Sequence, residues 1–211
     1  MSRRFRPLLL MMALAVLAAR PVFAGPPLLC FPFEIGAARS LPMGAGGWEA
    51  IDRSYDTSRL VADTVALLGP ATPVIARMET LRRATLYAAT DATLAGQLLD
   101  RLQQRAAIPS ADAPLAVFDF GYLVETYKQA AFMFRAPVKA AQTIDGYNLV
   151  AKAAAMKSDP AMEFALAVMT RGNTRTADAY RTHLARVVKA AATDPAIEAN
   201  LARHFGNDLA R

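Results

Sequence analysis

The sequence predicts an all-α protein, and three observations carry that reading. Alanine supplies 45 of the 211 residues against 11 glycines, and alanine has the highest helix propensity of any residue. Aromatic residues make up only 8%, a poor supply for a β-rich fold. Thr72-Pro73, Asp159-Pro160 and Asp194-Pro195 pair a capping residue with a proline suited to the first helical turn. The chain is 54% hydrophobic and 20% charged. That balance excludes general disorder, and the length suffices to bury a core without metals or disulfides.

Residues 1–24 read as a secretory signal. Arg3, Arg4 and Arg6 precede an apolar run from Pro7 to Ala19, and Val22-Phe23-Ala24 places small residues before a cleavage site after Ala24. The run is too short to span a bilayer, which takes about 20 apolar residues. Removing the segment takes Arg3, Arg4, Arg6 and Arg20 with it. The mature chain then has 20 basic and 18 acidic residues, a net charge of +2. No basic cluster remains to bind phosphates, so nucleic acid is excluded as a partner. The expected location is the periplasm or outside the cell.

Residues 25–55 form an arm with no helical period, punctuated by Pro and Gly but carrying Phe31, Phe33, Ile35, Leu41 and Trp48. Linkers are usually polar, so these side chains are expected to dock on a helical body or to meet a partner. The helical domain spans 56–211. Asp56 or Thr57 caps a first helix, which Gly69-Pro70 ends, with Gly69 in the position after the C-cap. Thr72 is the expected N-cap of the second helix, with Ile75, Met78, Leu81 and Thr85 on one face. The third helix follows Thr90-Asp91 and closes at Pro109. The fourth, from Leu115 to about Phe132, is apolar on most sides and therefore central. The stretch 135–144 carries no clear period. Asp145-Gly146, Asp159-Pro160, Thr174 or Thr176, and Asp194-Pro195 open four more helices, with Gly172-Asn173 and Gly206 as stops.

Pro160 and Pro195 lie 35 residues apart, and Pro73 and Pro109 lie 36 apart; each interval encloses two helices. With Ala154, Ala155 and Ala190 to Ala192 as small packing residues, this resembles a degenerate tetratricopeptide-like array of αα-hairpins. An irregular helical bundle is the alternative. The segments Cys30-Phe31-Pro32-Phe33-Glu34-Ile35-Gly36, Ser40-Leu41-Pro42 and Phe118-Asp119-Phe120-Gly121-Tyr122-Leu123-Val124-Glu125 also resemble a group of exported bacterial helical proteins to which no activity is assigned. That resemblance implies no cofactor and no catalytic residue.

Chemistry-bearing residues are few. One cysteine excludes an intramolecular disulfide, and two histidines, His183 and His204, leave little for a metal centre. No cofactor is called for. Cys30 reads as a buried thiol or as a disulfide link between two chains. Asp119, Tyr122 and Glu125 step along one side of the fourth helix, where two carboxylates beside a phenol suit acid–base work; a polar strip where the helix meets solvent explains them without chemistry. Glu163 sits between Met162 and Phe164 and reads as the acid of a structural ion pair. Glu79 with Arg82 and Arg83 reads as a solvated helix face. The function expected is a non-catalytic binding or scaffolding module for a protein or peptide, with Cys30, Phe31, Phe33 and Trp48 as interaction residues. The alternative is an exported helical enzyme using Asp119, Glu125 and Glu163.

Overall fold

A computed structural model describes residues 27–134 and 138–210; the expected signal over 1–24 lies outside them. Among the described residues all regular structure is helical. One of two 3-10 turns, Thr57–Arg59, leads into α1 (Leu60–Leu67); the other is Thr174–Thr176. There follow α2 (Val74–Ala88), α3 (Ala92–Ala107), α4 (Ala113–Phe134), the one-turn α5 (Lys139–Gln142), α6 (Gly146–Met156), α7 (Pro160–Thr170), α8 (Ala177–Ala191) and α9 (Pro195–Leu209). No described helix is long and apolar enough to cross a membrane.

Most boundaries follow from capping chemistry. The carboxylates of Asp56, Asp91, Asp145, Asp159 and Asp194 each accept a backbone N–H of the first turn they precede. Pro160 and Pro195 open α7 and α9, where the missing N–H costs no bond. Gly172 ends α7 with a φ of 78°, a conformation that glycine adopts freely. Three expected details differ. Thr72 does not cap α2; its hydroxyl donates to the Leu67 carbonyl, and Pro73 stands in the cap position. Gly69 is not left-handed; its carbonyl accepts from Thr72 N and from Arg77. Gly206 lies inside α9, which continues to Leu209.

The fourth helix is central, as its apolar surface predicts. α4 packs against α2, α3, α5, α6 and α7, and Phe118, Tyr122, Leu123 and Val124 are wholly buried. Its closest neighbour is α6. A Cβ added at Gly121 would stand 2.7 Å from Leu149 Cβ and 2.8 Å from Gly146 O, so the two glycines permit the approach. α7 and α8 form the other closely packed pair, and α8 leads on to α9. α2 and α3 lean on α4 more than on each other. The result is an all-helical body gathered round a buried helix.

The arm docks on this body along α2. Leu28, Leu29, Phe33 and Leu41 are buried in the core, while Phe31, Ile35 and Trp48 are half-buried. The polar side chains of α2 hold the arm's backbone. Glu79 accepts the Phe33 N–H at 3.0 Å. Arg82 donates to the carbonyls of Leu29 and Trp48, at 3.1 and 2.8 Å, and Arg83 donates to that of Leu41. Tyr87 donates to the Pro42 carbonyl and accepts the Asp52 N–H. At the far end, Asn200 on α9 accepts from Glu34 N and donates to Glu34 O. Phe33 stacks on His204 with ring centres 4.4 Å apart.

This docking overturns the expectation of a solvated Glu79–Arg82–Arg83 face. Glu79 is 0% exposed and Arg82 1%. The carboxylate accepts from Arg82 at 2.7 and 2.8 Å, from Arg83 at 2.6 Å and from the arm. Burial alone pushes the Glu79 carboxyl up. The hydrogen bonds and charge of Arg82, the Phe33 N–H and the bond from Arg83 outweigh it and hold the group below its ordinary range.

Candidate functional site

The three carboxylates singled out from sequence do not converge, because each is committed to different partners. Asp119 is buried and receives Arg77 Nη1 at 2.7 Å, with Arg105 at 3.8 Å. Burial dominates and pushes its carboxyl up to about 6 despite those two guanidiniums. Its Oδ1 has no hydrogen-bond partner among the described residues. Tyr122, one turn on, is buried in the core and does not join Asp119 in a polar strip. Glu125 faces α6, where its Oε1 accepts the Gly146 N–H at 3.0 Å and Lys128 Nζ at 2.8 Å. It therefore supports the first turn of α6 beside Asp145.

Glu163 is the acid that meets other reactive groups. It is half-buried near the start of α7 and faces α8. Its Oε1 accepts from Arg186 at 2.9 Å, and its Oε2 lies 2.7 Å from His183 Nδ1. The structural ion pair expected for it is present, but Arg186 is exposed and the second partner is a histidine. An ionised carboxylate only accepts, so the His183 proton sits on Nδ1. His183 Nε2 is then the acceptor, and the Tyr147 hydroxyl stands 3.0 Å from it. A carboxylate, an imidazole and a phenol are thus linked in line across α7, α8 and α6. Burial raises the Tyr147 phenol, with the Glu163 and Asp145 charges adding to the effect and Arg186 opposing it. The group is a protonated donor at neutral pH.

Two clefts flank this chain. The first, of about 470 Å³, has Tyr147 in its wall with Glu125, Lys128, Asp145 and Asn173. The second, of about 480 Å³, is bounded by Asp159, Glu163, Arg186 and Lys189 with the hydroxyls of Ser158 and Thr193. Neither Tyr147 nor His183 is marked by sequence pattern. They lie 36 residues apart on separate helices, and Glu163 is 20 residues from His183.

The arm residues have separate fates. Phe33 is consumed by the contact with His204 and Phe164. Phe31 lies 6.0 Å from His204, and Trp48 contributes its carbonyl to Arg82. Cys30 is half-buried, and burial raises its thiol more than nearby Arg82 lowers it, with Glu49 adding to the rise. His204 is 2% exposed. Burial, with Arg203 and Arg171 adding to it, pushes its imidazole down to about 3. Among the described residues no group of three or more His, Cys, Asp or Glu is placed to hold a metal ion.

No family model matches the chain, and no curated protein or solved structure is detectably similar to it.

Proposed function

We propose that the protein is an exported binding module that holds a protein or peptide on the face formed by α6, α7 and α8. The observation that carries this reading is the pair of open clefts, each lined by opposite charges and hydroxyls, the first also by the amides of Gln142 and Asn173. An extended peptide offers backbone amides and charged side chains to such a lining, and αα-hairpin arrays present extended surfaces of this kind to their ligands. The arm supports the assignment indirectly. Its aromatic residues dock on the body, which leaves the helical face as the surface open to a partner. The export half of the reading rests on the residue pattern of 1–24 and is tested by sequencing the mature N-terminus, which should begin at Gly25.

Binding is tested by selecting a displayed random-peptide library against the mature protein. Enriched peptides should lose affinity for Arg186→Ala and Lys189→Ala but not for Arg39→Ala, which lies on the arm. No enrichment, or enrichment indifferent to both α8 changes, would overturn the reading. A covalent dimer is the second mode of association, supported by partial exposure of the Cys30 thiol. Non-reducing electrophoresis after mild oxidation should show it, and Cys30→Ser should abolish it.

A further inference from the structure

We infer that the Glu163–His183–Tyr147 chain is an acyl-transfer centre, in which the Tyr147 hydroxyl is the nucleophile toward thioesters and aryl esters. This goes beyond the binding reading, since holding a partner needs no proton chain.

The geometry is that of an activated hydroxyl: nucleophile to base at 3.0 Å, base to orienting carboxylate at 2.7 Å. Arg186 fixes the second oxygen of Glu163, so the carboxylate presents one defined oxygen to Nδ1. His183 is 8% exposed and clamped between two partners, which fixes its tautomer with Nε2 open to accept the phenolic proton. Tyr147 is the member of the chain that lines the 470 Å³ cleft. Its phenol is held protonated by burial and by Glu163 and Asp145, so it needs a base to react.

The step balances without a cofactor. Tyr147 Oη bonds to the acyl carbon as its proton passes to His183 Nε2. The thiolate or aryl oxide leaves and takes that proton. Water then attacks the acyl-tyrosine, giving one proton through His183 to the phenolate oxygen, and the carboxylic acid departs. The nucleophile also sets the substrate class. A phenol has a pKa near ~10 and a thiol near ~8.5, and the group of lower pKa leaves faster. The tetrahedral intermediate formed from a thioester or an activated aryl ester therefore expels the thiolate or aryl oxide in preference to Tyr147 and goes on to acyl-tyrosine. Transfer from an alkyl ester runs uphill, because an alkoxide is a poorer leaving group than a phenolate.

The test uses the mature protein with S-acetyl-N-acetylcysteamine, p-nitrophenyl acetate and ethyl acetate. The first two should be hydrolysed and the third should not. An acid quench followed by peptide mass mapping should find the acetyl group on Tyr147. Tyr147→Phe should lose turnover and adduct with an unchanged melt. His183→Gln should lower kcat at least ~100-fold, the scale of general-base catalysis. Glu163→Gln, a change at a positioning residue, should shift the pH profile of kcat with KM little altered. Absence of turnover above the Tyr147→Phe background, or an acetyl group on His183 or a lysine in place of Tyr147, would overturn the proposal. The peptide-binding reading would survive that result, because the library selection does not depend on Tyr147 chemistry.

Discussion

Replacing Glu79 by alanine is the sharpest test of how the arm is held. In the folded protein three N–H donors from two arginines and one N–H from the arm converge on that carboxylate. Glu79→Ala leaves the Arg82 guanidinium, 1% exposed, without its counter-charge. Breaking one side of a buried pair destabilises by about 3–5 kcal/mol. For a chain of this size each kcal/mol moves the melting temperature by about 2–4 °C, so the variant should melt roughly 6–20 °C lower. The loss should be felt first in the arm, because Glu79 binds Phe33 N and Arg82 binds the Leu29 and Trp48 carbonyls. Thermal melts give the global term. Trypsin cleavage at the exposed Arg39 and Arg53 gives the local one and should accelerate in the variant below its melt. A melt within about 2–4 °C of wild type, about 1 kcal/mol, together with unchanged protection of Arg39 and Arg53, would refute the reasoning.

Two further outcomes follow from packing. Deleting residues 25–50 removes Leu28, Leu29, Phe33 and Leu41 from the core and uncovers the Glu79–Arg82 pair, so the melt should fall at least as far as for Glu79→Ala; an unchanged melt would make the arm a passive tether. Gly121→Ala places a Cβ 2.7 Å from Leu149 Cβ and 2.8 Å from the Gly146 carbonyl, where the backbone cannot yield. It should destabilise by roughly 1–3 kcal/mol, read by urea titration, whereas Gly96→Ala on α3, with open space at its Cβ, should be neutral or stabilising.

The parts of the fold that were legible in sequence are those set by local chemistry. Asp91, Asp145, Asp159 and Asp194 mark helix starts because a short carboxylate followed by a free N–H is itself the cap. α4 was legible as central because it is apolar on most sides. α2 was not. Glu79, Arg82 and Arg83 belong to a helix whose residues are almost all buried, yet at three- and four-residue spacing they read as a wet surface. What reverses that reading is the arm, whose backbone groups supply the partners that make buried charge tolerable. The arm's aromatic content signalled docking, but not that α2 would receive it. The Glu163–His183–Tyr147 chain was illegible for a different reason: three helices each contribute one residue, and only tertiary packing aligns them.

Two buried titratable groups act on stability with opposite sign, and the balance between them is testable. His204 has a folded pKa of about 3 against an unfolded value near ~6.5. The unfolded chain binds its proton first, so His204 stabilises the fold above pH ~6.5 and that stability is lost on acidification, by up to about 1.4 kcal/mol per pH unit. Asp119 has a folded pKa of about 6 against ~3.9 unfolded. Here the folded chain holds the proton longer, so stability falls as pH rises from about 4 to 6. Glu79 adds little through most of that window, since its depressed carboxyl loses stability as pH falls through and below the ordinary carboxylate range. Wild-type stability should therefore be nearly level between pH 4.5 and 6, roughly, by cancellation of the two groups. Asp119→Asn keeps the shape, and Arg77 retains the Thr72 and Gly69 carbonyls as acceptors; its stability should now rise with pH. His204→Phe fits a site already lined by Phe33, Phe164 and Phe205 and removes an Nε2 that has no partner among the described residues; its stability should fall as pH rises. Urea titrations at half-unit steps decide the matter. If both single variants stay as level as wild type, burial does not control these two groups. If wild type and Asp119→Asn rise alike across that window, the carboxylate is already ionised there, held so by Arg77.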